Sequence, residues 1–193
     1  MIKNKITSIF SLFFVYLISS FAIAYDGIVN FEGEAVQSTC MFEGISLAGG
    51  TPSINPTIQL PDISADALTG GQLAGDTALW LHFRDCIAMT GHQQVYATFY
   101  TDNISSDGNL YMPNDTPGSA KNVGLQITAH NTSGYSYAKI PGRVQTTSAV
   151  FPQHKSDLLV TDLYSVAYKK VPGSGAVVPG KISATVTYSL TYY

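Results

Sequence analysis

"KISATVTYSLTYY", residues 181–193, closes the chain in strict alternation. Ile182, Ala184, Val186, Tyr188, Leu190 and Tyr192 hold the even positions, and Ser183, Thr185, Thr187, Ser189 and Thr191 the odd ones. Successive side chains of a strand point to opposite faces, so the pattern specifies a β-strand with one face buried. Chain ends are usually frayed and polar. A strong strand ending at the last residue therefore needs a partner from elsewhere.

Working backwards, similar runs recur. "GIVNFEGEA" (27–35) alternates, with Val29, Phe31, Gly33 and Ala35 on one side. "TIQLPDI" (57–63) reads as a short strand, and "ALWLHFRDC" (78–86) sets Leu79, Leu81 and Phe83 opposite Trp80 and His82. "QVYATFYT" (94–101), "NVGLQITAH" (122–130) and "DLYSVAYKK" (162–170) follow. Between them lie "SSDGN", "MPNDTPGS", "NTSGYS" and "VPGSG", which are turn formers. No segment has a sustained helical period, though 62–75 has room for one helical turn before its glycines. Seven or so strands without internal repeat imply one all-β domain. An immunoglobulin-like sandwich and a closed barrel both fit, because alternation does not separate them.

The first residues have another character. Lys3 and Lys5 precede "IFSLFFVYLISSFAIA", which ends in Ala22-Ile23-Ala24. A basic start, a short apolar run and an A-x-A end describe a secretory signal peptide over 1–24. Its removal takes Lys3 and Lys5 from the 10 basic residues, leaving 8 against 13 acidic, a formal charge of −5. With basic residues scattered, nucleic acid is not an expected partner. Both cysteines, Cys40 and Cys86, fall in the exported part and are most simply one disulfide.

No motif announces chemistry. His82, His92, His130 and His154 are far apart and lack the H-E-x-x-H spacing of zincins. Neither G-x-S-x-G nor a phosphate-loop spacing occurs, and "GSGAVVPG" (173–180) reads as a turn between strands. The expectation is no enzyme, no catalytic residue, no metal and no cofactor.

Two alternating strands, one at each end of the exported chain, lack a local hairpin partner. With Gly27-Ile28-Val29-Asn30-Phe31-Glu32-Gly33 before Cys40, "LHFRDC" ending at Cys86, "KNVGLQI" (121–127) and "PGKISATVTYSLTYY", the chain resembles subunits of chaperone–usher pili, the type 1 fimbrial protein family. One departure is Ala78-Leu79-Trp80, where many members carry a Pro-Phe-like start. The resemblance implies an incomplete immunoglobulin-like β-sandwich of six strands, the seventh supplied in trans by donor-strand complementation. It divides the chain into a signal peptide (1–24), an N-terminal donor-strand extension (25–39) and a pilin domain (40–193). Val29, Phe31 and Ala35 become plugs for a neighbour's groove, and Gly33 meets a place too shallow for a side chain. Val186, Tyr188, Leu190, Tyr192 and Tyr193 become the acceptor-groove edge and chaperone contact. The implied partners are a periplasmic pilus chaperone, an outer-membrane usher and neighbouring subunits in a head-to-tail polymer. The implied place is the fimbrium of a Gram-negative bacterium, with any host receptor met by the assembled pilus. The rival role is a minor adaptor or a tip-associated sugar-binding adhesin. The single-domain length and the segment 25–39 argue against a two-domain adhesin.

Overall fold

The computed structural model describes residues 40–88, 94–130, 136–144, 149–151 and 160–193. The expected signal peptide and donor extension lie outside them. The described residues form eight strands: β1 (Met41–Ser46), β2 (Leu73–Arg84), β3 (Gln94–Tyr100), β4 (Val123–His130), β5 (Ser136–Lys139), β6 (Ala149–Val150), β7 (Val160–Lys170) and β8 (Thr187–Tyr192). They make a five-stranded sheet in the order β1-β2-β7-β4-β5 and a three-stranded sheet in the order β6-β3-β8. All strand pairs are antiparallel. The sandwich expected from the turn-separated strands is therefore present, and the count exceeds the implied six because β5 and β6 are short additions.

Its core follows from the alternation. Leu79, Leu81 and Phe83 of β2, Tyr164, Val166 and Tyr168 of β7, and Leu125, Ile127 and Ala129 of β4 face Val95, Ala97 and Phe99 of β3. Phe99 meets Tyr164 edge-on with ring centroids 5.2 Å apart, which joins the two sheets. Cys40 and Cys86 form a disulfide where β1 and β2 begin their pairing at Met41 and Arg84. Closing a loop of 46 positions removes denatured-state entropy equivalent to about 4 kcal/mol in the loop-closure model.

Two expected strands are corrected. Residues 57–63 join no ladder, although 57–61 keep a strand-like alternation of burial. Pro56 and Pro61 lack the N–H that a ladder needs. The closing strand pairs only from Thr187, not from Ile182, because its partner β3 ends at Tyr100, opposite Thr187. Upstream, Lys181 is instead held by the 118–120 loop, donating to Gly118 O and accepting from Ala120 N–H. The helical turn foreseen within 62–75 is a 3-10 turn, Ala65–Leu68, capped by the Ser64 hydroxyl, which accepts from the Asp66 N–H.

A buried polar cluster crosses the sandwich. Lys139, Asp162 and Tyr164 are 1%, 6% and 0% exposed. The Tyr164 hydroxyl donates to Asp162 Oδ2 at 2.7 Å and accepts from the Ala97 N–H at 3.4 Å. Burial pushes the Asp162 carboxyl up to about 6, outweighing the Tyr164 hydroxyl and the Lys139 charge. Burial also pushes the Lys139 amine down to about 8, partly offset by Asp162. A carboxyl raised in the folded state favours the protonated form there. Its contribution is complete below the ordinary value of 3.8 and is lost as pH rises through about 6. Lys139 acts higher, its burden being relieved only between about 8 and 10.5. Urea unfolding at about pH 4 and about pH 6.5 should therefore show wild type losing stability relative to Asp162→Asn over that interval. Parallel pH profiles for the two proteins would refute this origin of the slope.

Candidate functional site

Beside the segment that leads into β8 the sandwich is open. The opening is a groove of about 1270 Å³ between two walls, residues 54–63 and residues 177–188. Both walls alternate as strands do. Pro56, Ile58 and Leu60 are half-buried between exposed Thr57, Gln59 and Pro61, and Ile182, Ala184 and Val186 are half-buried between exposed Ser183, Thr185 and Thr187. Ile58, Leu60, Ile182, Ala184 and Val186 pack on the core. Among the described residues no backbone hydrogen bond joins one wall to the other. The missing ladder lies between them.

The floor is apolar. Leu79, Leu125, Val166 and Tyr168 line it and keep 7–8% exposure, whereas Leu81, Phe83 and Ala129, deeper in the same sheet, keep 0%. At the rims, Ile54 and Val178 stand 50% and 49% exposed. An apolar trough between two walls that share no backbone hydrogen bond among the described residues matches the chemistry of one more β-strand. Its backbone would complete two ladders, and its alternate side chains would fill the floor. β8 is already the end strand of its sheet, so nothing in the described fold competes for that edge.

The sequence-expected site residues fall in three places. Val186 and Tyr188 line the groove. Leu190, Tyr192 and Tyr193 lie past that lining, zipped to β3 through Ala97, Val95 and Gln94. Tyr192 packs on Phe151 with centroids 6.1 Å apart, and Tyr193 on Tyr96 at 5.1 Å. Val29, Phe31, Gly33 and Ala35 lie outside the described residues. Sequence reasoning missed the opposite wall, because 57–63 was read as a strand like the others. The two prolines flanking Ile58 and Leu60 were the available signal.

A two-sheet, all-β sandwich with one edge left open defines an immunoglobulin-like assembly module. The chain belongs to the fimbrial protein family, whose sequence model matches residues 29–193. It is 31% identical over 180 residues to the F17 fimbrial protein of Escherichia coli, covering 90% of this chain and 91% of that one. The S-fimbrial protein subunit SfaA of Escherichia coli O6:K15:H31 (strain 536) is 26% identical over 171 residues, 86% of this chain and 83% of that one. In fold it is similar to the P pilus rod subunit PapA, with TM-score 0.56 at 16% identity over 81% of this chain and 100% of that chain. A chain from a chaperone–usher pilus structure concerned with rod uncoiling gives TM-score 0.55 at 18% identity, over 88% of this chain and 96% of that chain. The protein is a structural subunit of a fimbria, in a family of structural subunits rather than enzymes.

Proposed function

We propose that the groove accepts the N-terminal segment 25–39 of a neighbouring subunit, building the fimbria by donor-strand exchange without catalysis. The observation that carries this reading is an apolar floor between two walls, 54–63 and 177–188, that no backbone hydrogen bond joins among the described residues. Contact of this kind is head-to-tail and non-closing, so it propagates into a filament. Val29, Phe31 and Ala35 are the plugs, with Gly33 at the shallow position. Before polymerisation the same trough is an aggregation hazard. A periplasmic chaperone covers it, with basic residues holding the carboxylate of Tyr193, and an outer-membrane usher hands the subunit to the next, so that the polymer stands on the cell surface.

Substitutions in the donor segment test the reading, since they separate folding from assembly. Phe31→Asp places an unpaired charge in an apolar trough, and Gly33→Leu overpacks its floor, at about 1–3 kcal/mol for the latter. Both should leave the chaperone-bound subunit folded and at normal abundance while fibres on the cell become sparse by electron microscopy. Normal fibre numbers in both variants would remove segment 25–39 from the mechanism.

A further inference from the structure

We infer that Tyr188 is a strap across the empty groove, tying β8 to the 54–63 wall until an incoming strand takes its place; this rests on the groove being a strand-accepting site. The Tyr188 hydroxyl donates to the Ile54 carbonyl at 2.8 Å. Its residue sits on β8 opposite Phe99, and its ring meets Phe42 edge-on at 5.8 Å. Ile54 directly follows Ser53, whose N–H and C=O both pair with Ile45, so the wall is anchored to β1 just before the strap. Among the described residues this is the hydrogen bond that joins the two walls.

Three features make it a strap rather than ordinary packing. The inward row of the closing strand offers Ile182, Ala184 and Val186 along the groove, none of which carries a donor. A phenylalanine at 188 would bury as much apolar surface against Phe42. The hydroxyl adds only the cross-groove bond. Moreover, the acceptor it occupies is a backbone carbonyl at the groove rim. A strand completing the ladder along this wall presents N–H groups to such carbonyls. The hydroxyl and the entering strand therefore compete for Ile54 O, and the empty groove is held at a fixed width at that end. Strand entry begins along the unstrapped length beside Ile58 and Val186 and finishes by displacing the tyrosine.

The test uses the mature, disulfide-bonded chain and an excess of a fluorescent synthetic peptide of residues 25–39, followed by anisotropy. Tyr188→Phe keeps the ring and removes the strap. Uptake should quicken about three- to tenfold, the scale set by losing one neutral hydrogen bond from the empty state only. Tyr137→Phe, at an exposed β5 position outside the groove, should keep the wild-type rate. If Tyr188→Phe takes up peptide at the wild-type rate or more slowly, the strap is overturned while the groove reading stands. If wild type itself takes up no peptide, the groove reading fails and the strap with it.

Discussion

Appending residues 25–39 to Tyr193 through a short flexible linker should give a monomer that melts about 10–20 °C above the unfused mature chain. The geometry favours the graft. β8 ends at Tyr192 as the outermost strand of its sheet. A chain that turns after Tyr193 can run back antiparallel along its free edge, as a hairpin does. Val29 and Phe31 would then pass from water onto the floor made by Leu79, Leu125, Val166 and Tyr168. Burying two such side chains with Ala35 contributes about 4–6 kcal/mol, before any ladder hydrogen bonds. In a domain of this size each kcal/mol moves the midpoint by about 2–4 °C, which gives the stated rise. Calorimetry of the two chains at equal concentration is the measurement. A fusion no more stable than its parent would mean that 25–39 is not the missing strand.

How much of this was legible beforehand depended on which physical signal each segment carries. The alternation of 182–192 reports burial of one face, and the structure has that alternation throughout. Pairing is a different property. It depends on where β3 stops, at Tyr100, and nothing within 182–186 encodes that. The open groove is thus a relation between distant segments, invisible to a reading that scores each strand by itself. β1 escaped notice for a local reason. Gly44 has φ of +129° and sits in a register shift between Phe42 and Gly44, so the period of two breaks inside a six-residue strand. A side chain there would meet the Ser53 backbone at 2.5 Å, so the break is also what lets the 53–54 wall approach. The same holds for β2, whose first residues are hidden by a bulge between Ala74 and Thr77 around Gly75, φ +68°. Lys139 and Asp162 could not be recognised as buried, since each charge stands among polar or apolar neighbours with no period to mark it. The fimbrial resemblance, by contrast, rested on the order of several short motifs, and the family match over 29–193 agrees with it.

Truncation after Ser189 should abolish accumulation of the subunit, lowering its periplasmic level at least about tenfold in immunoblots, because the loss approaches the stability of a whole domain. Four residues leave, and with them half of the paired positions of the β8–β3 ladder. Leu190, Thr191 and Tyr192 pair with Ala97, Tyr96 and Val95, and Tyr193 exchanges both backbone hydrogen bonds with Gln94 at 2.9 and 3.0 Å. Only Thr187, Tyr188 and Ser189 would remain of the strand, too few to hold an edge. Val95 and Ala97, now 1% and 0% exposed, would lose their cover along a bare strand edge. Half-buried Leu190 and Tyr192 with four to five net hydrogen bonds amount to about 5 kcal/mol or more, against about 5–15 kcal/mol for a typical domain. A second chain separates folding from chaperone capture. Adding Gly-Ser after Tyr193 keeps every β8–β3 pair and moves only the terminal carboxylate. If the chaperone holds that carboxylate, this chain too should be depleted, although its purified form melts like wild type. Depletion of the truncated chain alone would place the whole effect in the ladder and take the carboxylate out of the capture step. Wild-type levels of the truncated chain would mean that β8 beyond Ser189 supports neither the fold nor its escort.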